Sequence, residues 1–431
     1  MDKSNNILRR LELLHPKKID LSLNRLKRLL RRLDNPHLNL PPVIHIAGTN
    51  GKGSVTSYLR SIYEKNNLKV HTYTSPHLIK FNERIRIDSR LISNKYLSEL
   101  LEECEKKNNG SPITFFEITT AAAFLAFSRK KSDLVLLETG LGGRFDATNV
   151  IKNPICCILT PISMDHMNFL GNNIEKISYE KVGILKNNSL IILSKQEQSV
   201  RRIIRKEVKK KNAILLEEEK DWKVQKKEKS FILNFQNQTY EFPLPNLYGD
   251  HQIDNAATAI SASLAIKNFD VKKEKTANAI RNVYWPARMQ KLNKGKLSKK
   301  IGKKFEIWID GGHNIHAAEM ISSIMQNWGD SKIVLILGMV YGKDPISFLE
   351  KIIDKISLLI LLPINDHQYI HPYKIRESLK KKFEELHVVT LINIDEALVY
   401  IPRKISCGKV LICGSLYLAG QILKNDGFKI N

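Results

Sequence analysis

Disulfide chemistry has little to work with in this sequence. Five cysteines are spread over 431 residues (Cys104, Cys156, Cys157, Cys407 and Cys413), with no paired metal spacing and too few to staple a fold. A reducing cytoplasm is the expected compartment. Long apolar runs are missing as well. None approaches the ~18 residues that cross a bilayer, and Met1–Arg10 is polar and basic with no apolar core of a signal peptide. Neither secretion nor membrane spanning is expected. Acidic residues are scarce beside basic ones, 44 Asp and Glu against 69 Lys and Arg, for a formal net charge of +25. That excess invites a nucleic-acid partner. Its distribution argues against one, because the basic residues are scattered over surface-like stretches (Arg201–Lys211, Lys299–Lys304, Lys380–Lys382) without interleaved aromatics. A solvated Lys-rich surface is expected, and such a field also favours an acidic small-molecule substrate.

What is present is enough apolar sequence, 42% of the chain, for two cores. Apolar residues at helical spacing from Ile7 to Leu33, interrupted at His15-Pro16, predict a helical lead-in. Val43–Ala47 then reads as a buried strand, followed by a glycine loop and a helix over Val55–Asn66. The order repeats, with strands at Val70–Thr74, Leu134–Glu138 and Ile155–Thr160 and a helix at Thr119–Arg129. Near-continuous apolar strands alternating with helices predict a parallel sheet covered on both faces. Lys195–Glu241 is charged and reads as a β-hairpin excursion around Phe231-Ile232-Leu233. A second α/β series has strands at Glu306–Asp310, Lys332–Leu337, Leu358–Leu362, Val388–Leu391 and Lys409–Cys413. The fold class is thus α/β, with a parallel-sheet domain carrying the glycine loop (P-loop) over 1–292, a polar Lys-rich hinge over 293–303 and a smaller Rossmann-like domain over 304–431.

The chemistry begins at Gly48-Thr49-Asn50-Gly51-Lys52-Gly53-Ser54, between an apolar strand and a helix. Backbone N–H groups there cradle phosphate oxygens, Lys neutralises them and a hydroxyl lies near Mg²⁺. The spacing departs from the usual G-x-x-x-x-G-K-[ST], since Gly48 precedes Gly51 by three positions and Gly53 separates Lys52 from Ser54. Glu138 ends an apolar strand, where an open parallel sheet places its ligand crevice, and Asp165-His166 follow the next strand.

The variant loop resembles that of the Mur ligase superfamily, and further segments narrow the resemblance to folylpolyglutamate synthase/dihydrofolate synthase. They run in order along nearly the whole chain: HIAGTNGKGS at 45–54, TSPHLIKFNERI at 74–85, ETGLGGRFDATN at 138–149, TPISMDHMNFL at 160–170, EKVGIL at 180–185, HQIDNAA at 251–257, WPARMQ at 285–290 and DGGHN at 310–314. Ala287 and Gly312 stand where the family more often has Gly and Ala. Leu337–Asp344 departs further from the family's Gly-x-x-x-Asp-Lys-Asp, which leaves glutamate contacts unassigned.

The resemblance implies an ATP-dependent carboxylate–amine ligase. ATP would contact Asn50, Gly51, Lys52, Gly53, Ser54, Asn255 and Arg288 in the first domain and Asp310 and His313 in the second. Two Mg²⁺ ions would be held by Ser75, Glu138, His166 and a carbamylated Lys181; oxygen ligands suit this hard ion better than an imidazole. The catalytic set would be Lys52, Lys181 and His166. Thr114, Phe115, Phe116, Glu117, Phe145, Asp146 and Ala147 match segments that hold the pterin substrate.

The implied reaction adds L-glutamate to dihydropteroate and to reduced folates, in a cytoplasmic monomer. ATP phosphorylates the substrate carboxylate, and the glutamate amine displaces phosphate while domain closure excludes water. A monofunctional folylpolyglutamate synthase and another Mur-type amino-acid ligase are the alternatives within enzymes. A nucleotide-regulated nucleic-acid-binding protein is the alternative outside them.

Overall fold

Strand segments that are apolar on both faces become strands with both faces covered. In the computed structural model, which describes residues 3–17, 19–380, 382, 383 and 385–430, Val43–Ala47 (β1) is buried at all five positions. The expectations for Met1–Arg10 and Lys380–Lys382 fall partly outside those residues. Val70–Tyr73 (β2), Ile85–Ile87 (β3), Arg90–Leu91 (β4), Leu134–Glu138 (β5), Cys156–Leu159 (β6), Leu190–Leu193 (β7) and Ile214–Glu217 (β8) complete an eight-stranded sheet. Its order is β4-β3-β2-β5-β1-β6-β7-β8. β2, β5, β1, β6, β7 and β8 run parallel, and β3 and β4 add an antiparallel edge.

β1 is flanked by β5 on one side and β6 on the other. The carboxyl ends of these three strands therefore meet where strand order reverses, the position at which open α/β sheets bind ligands. The glycine loop, Glu138 and Thr160 all emerge there.

The helix expected from Val55 starts earlier, at Lys52, with Gly51 in left-handed conformation (φ 85°) as its N-cap, and runs to Lys65. Lys52, Gly53 and Ser54 are thus its first turn. The helix expected from Thr119 also starts early, at Phe115, because Thr114 and Glu117 form a reciprocal capping box. It ends at Ser128, and Glu117–Phe127 are buried all round, as a helix inside a core must be. The lead-in forms helices Lys3–Leu11 and Asn24–Arg32, whose Leu11, Leu26, Leu29 and Leu30 share a core with Phe124 and Phe127.

The excursion is more than a hairpin. A helix Gln198–Lys210 and β8 precede a three-stranded antiparallel sheet of Trp222–Lys226 (β9), Ser230–Phe235 (β10) and Gln238–Pro243 (β11). Trp222, Phe231 and Phe242 supply its buried face.

The second sheet comprises Gln290–Leu292 (β12), Phe305–Ile309 (β13), Ile333–Leu337 (β14), Leu358–Leu361 (β15), Val388–Thr390 (β16) and Gly408–Cys413 (β17). Its order is β12-β13-β17-β14-β15-β16, parallel except for β12. Its core gathers Trp308, Trp328, Phe348 and the apolar strand residues.

Contacts divide the described residues into two units, Met1–Ser163 with Leu170–Asn246 and Gln252–Tyr284, and Met164–Phe169 with Leu247–His251 and Trp285–Asn431. The division between the main segments thus falls after Tyr284, not at a hinge over 293–303. β12 already pairs with β13, and Lys296–Ile301 is a helix whose Leu297 and Ile301 are buried. The second unit also takes Met164–Phe169, and with it His166.

Candidate active site

The glycine loop is shaped by neighbours that leave no room for side chains. A Cβ on Gly48 (φ 151°) would lie 1.9 Å from the Thr160 hydroxyl oxygen, and one on Gly51 would lie 2.5 Å from Asn255 Oδ1. Asn255, on the helix His251–Ala265, therefore touches the loop. Lys52 folds over the loop and donates to the carbonyls of Gly48 and Thr49, both at 3.0 Å. The loop opens a 14-residue helix, so its N–H groups and the helix dipole together favour an anion.

Lys181 comes from the helix Ile174–Val182 and is 4% exposed. Its Nζ donates to Gly48 O at 2.8 Å, the same carbonyl that receives Lys52. A Cβ on Gly143 would lie 2.7 Å from Lys181 O, so the Gly-rich turn after Glu138 seats that helix closely.

Ser75 and Glu138 meet at the ends of β2 and β5. The Ser75 N–H donates to Glu138 Oε2 at 3.4 Å, and Glu138 is 4% exposed. The Ser75 hydroxyl is buried and has no hydrogen-bond partner among the described residues. A buried hydroxyl left unmatched costs free energy, and beside a buried carboxylate it fits a hard divalent cation.

His166 sits at φ 51° in the second unit, with its N–H on Asp165 Oδ1 at 2.8 Å. Asp165 is the hub of that neighbourhood. It accepts from Asn314 Nδ2 at 3.0 Å and from Lys343 Nζ, with His313 Nε2 at 3.5 Å and His166 Nε2 at 3.9 Å. Burial pushes its carboxyl up, but the hydrogen bond and charge of His313, with the charges of His166 and Lys343, prevail. The group stays well below the usual carboxylate range. Asp165, His166 and His313 can converge on one cation.

Asp310 spends both carboxylate oxygens on backbone, accepting Gly312 N at 2.6 Å and Met289 N at 2.8 Å. It thereby fixes the turn that carries Arg288. A Cβ on Gly311 would meet Arg288 Nη1 at 3.1 Å, and His313 Nδ1 lies 2.9 Å from Gly311 O. Ala287, where the family more often has Gly, is held at φ 54°, a conformation that favours glycine.

The expected pterin segments divide. Phe116 packs against Gly140, whose Cβ would lie 2.4 Å from the ring, and its centroid is 6.0 Å from that of Tyr73. Phe115 meets Phe81 edge-on at 5.8 Å. Glu117 Oε2 binds the Thr114 N–H and hydroxyl, while Oε1 is buried without a partner in the structure. Phe145 is 44% exposed, but Asp146 and Ala147 are buried. Asp146 takes the N–H groups of Gly140, Leu141 and Thr148 and the Thr148 hydroxyl, and burial pushes its carboxyl up. It shapes the Gly-rich turn from inside.

Sequence reasoning missed Arg25 and Lys343. Arg25 bridges Asp20 Oδ2 at 2.9 Å and Glu117 Oε2 at 3.0 Å, linking the lead-in to the aromatic segment. Each is one cation among 69, and only a buried carboxylate partner distinguishes it.

Residues 46–263 match the Mur ligase middle domain, and residues 291–425 match the dihydrofolate synthetase C-terminal domain. The chain is 31% identical over 428 residues to a Bacillus subtilis dihydrofolate synthase/folylpolyglutamate synthase, covering 93% of this chain and 94% of that protein. Escherichia coli FolC, solved in complex with DHPP and ADP, superposes with a TM-score of 0.86 at 26% identity, over 98% of this chain and 97% of that one. A bifunctional folylpolyglutamate synthase/dihydrofolate synthase solved with Mn, AMPPNP and L-glutamate bound gives 0.83 at 25% identity, over 98% and 97%. This chain belongs to the dihydrofolate synthase/folylpolyglutamate synthase family of ATP-dependent ligases.

Proposed function

We propose that this chain joins L-glutamate to dihydropteroate and extends reduced folates with further glutamates, spending one ATP per bond. The observation that carries the reading is the Gly48–Ser54 loop, which has Lys52 and Lys181 on one carbonyl and Asn255 against Gly51. The full-length similarity to a bifunctional enzyme supports both activities, and the match to a dihydrofolate synthetase C-terminal domain supports the first.

The loop amides and Lys52 hold the ATP phosphates so that a substrate carboxylate oxygen attacks the γ-phosphorus. The bond to the β-phosphate oxygen breaks, ADP leaves and an acyl phosphate forms. The glutamate amine then attacks the acyl carbon, the carbon–oxygen bond to phosphate breaks, and the amine gives up a proton. Ser75 and Glu138 would hold a divalent metal, and Lys181, carbamylated, and His166 would complete a two-ion set. When bound, the metal neutralises charge on the transferring phosphoryl group.

Asn255, Arg288, Asp310 and His313 would meet the nucleotide, Asp310 by fixing the turn of Arg288. Thr114–Glu117 and the exposed Phe145 would hold the pterin, with Asp146 and Ala147 shaping the wall behind it. We extend the proposal to a cytoplasmic monomer without a nucleic-acid partner, on the dispersed basic residues and the five free cysteines. Among the described residues no helix is long and apolar enough to cross a membrane.

The test is acceptor-dependent ADP release. Purified protein with Mg-ATP and glutamate is offered dihydropteroate or a reduced folate in separate reactions. Turnover with both supports the bifunctional reading, turnover with only one narrows it to that activity, and none with either removes it.

A further inference from the structure

Beyond the bonds from its own Lys52, the phosphate-binding loop rests on a neighbouring segment. The Thr49 and Asn50 N–H groups both donate to Pro161 O, at 2.9 and 3.3 Å. The Thr49 hydroxyl donates to Ser163 O and accepts from Ser163 N, each at 3.0 Å. Thr160, whose side chain fills the space under Gly48, belongs to the same segment after β6. Loop geometry is thus copied from residues 160–163, and something must fix those in turn.

We propose that Gln196, just beyond β7, is a positioning residue for the phosphate-binding loop. Its amide clamps the backbone on which the loop rests: Nε2 donates to Thr160 O at 3.1 Å, and Oε1 accepts from Ile162 N at 3.0 Å. The side chain is buried, so neither backbone group has water as a ready substitute. Ser194, two residues earlier, works on the other wall. Its hydroxyl lies 2.9 Å from that of Thr258, one helical turn beyond the Asn255 that touches Gly51. The Ser194–Gln196 segment therefore sets both the loop and its partner helix, without touching substrate itself.

The inference rests on reading Gly48–Ser54 as the nucleotide-phosphate loop, and direct ADP titration of the wild type tests that part separately. Gln196→Leu keeps the volume and removes both hydrogen bonds, leaving two buried backbone groups unmatched. It is expected to weaken ADP binding by about 10- to 100-fold and to raise KM for ATP in step. KM for glutamate should stay within about twofold. Gln196→Glu keeps the acceptor for Ile162 N–H but sets a carboxylate oxygen against Thr160 O, and should weaken ADP binding at least as much as Leu does. A role confined to stability predicts a lower Tm with ADP affinity unchanged, and that result overturns the proposal. An equal rise in both KM values also overturns it. If the Leu variant does not fold, the Glu variant decides: wild-type ADP affinity there ends the proposal. A wild type that binds no ADP removes the reading beneath it.

Discussion

Lys181 Nζ donates to Gly48 O at 2.8 Å, so a cation from a helix 133 residues away is buried directly on the glycine loop. Conversion of that ammonium to a carbamate would turn a cation into an anion suited to hold a divalent ion.

Lys181→Met, which keeps the aliphatic stem, should leave Tm near wild type and reduce kcat by at least about 100-fold. Removing dissolved carbon dioxide from the wild type should lower activity reversibly, with bicarbonate restoring it and the Met variant unresponsive. Activity indifferent to bicarbonate in the wild type contradicts carbamylation.

Gly51→Ala should cost about 1–2 kcal/mol of stability, because an L side chain is strained at φ 85°. Its Cβ would also collide with Asn255 Oδ1, and ADP affinity should fall by about tenfold or more. Adding Asn255→Ala clears the collision but not the strain. Because Asn255 is itself placed on the nucleotide, ADP affinity should not recover in the double variant, and full recovery would contradict both that contact and the effect of strain.

Ser75→Ala deletes a buried hydroxyl that has no hydrogen-bond partner in the structure. Tm should hold or rise, since an unmatched polar group is removed, while the Mg²⁺ concentration for half-maximal activity rises about tenfold. A falling Tm with unchanged Mg²⁺ dependence would make Ser75 a structural residue.

Glu218 supplies a pH signature. It accepts the Lys195 N–H at 2.7 Å, and its carboxyl is pushed from an ordinary 4.5 to about 7. Burial is the main cause, with the Asp254 carboxylate adding to it; Lys195 opposes and Glu219 reinforces the shift. The folded state therefore holds a proton that the unfolded state releases, and the stability gained below about pH 4.5 is lost as pH rises through about 7. Glu218→Gln keeps the acceptor and removes the charge. It should match the wild type in acid and exceed it above pH 7 by on the order of 2 kcal/mol, read from paired denaturation curves. A difference that does not vary with pH contradicts the assignment.

Strands, phosphate loop and family segments were readable because each is local: apolar runs, glycine spacing and short motifs carry their own signal. What was not readable depends on tertiary partners. His166 follows β6 by a few residues, yet Met164–Phe169 goes with the second unit, drawn by Asp165 to Asn314 and Lys343. Asp146 reads as a ligand until four donors from its own turn surround it. Thr114-x-x-Glu117 carries a capping-box signature that sequence alone allows, and the structure shows that it also starts the helix four residues early. The hinge expectation over 293–303 followed composition, which cannot register that β12 has already joined β13.

A substrate carboxylate activated by phosphorylation in this site would pass one of its own oxygens to the phosphate released. Dihydropteroate carrying a heavy-oxygen label in its carboxylate, incubated with the enzyme, Mg-ATP and glutamate, tests it directly. Mass spectrometry should find one labelled oxygen in each inorganic phosphate released, and a product heavier by one glutamyl residue. Unlabelled phosphate formed alongside that product would contradict the acyl-phosphate route.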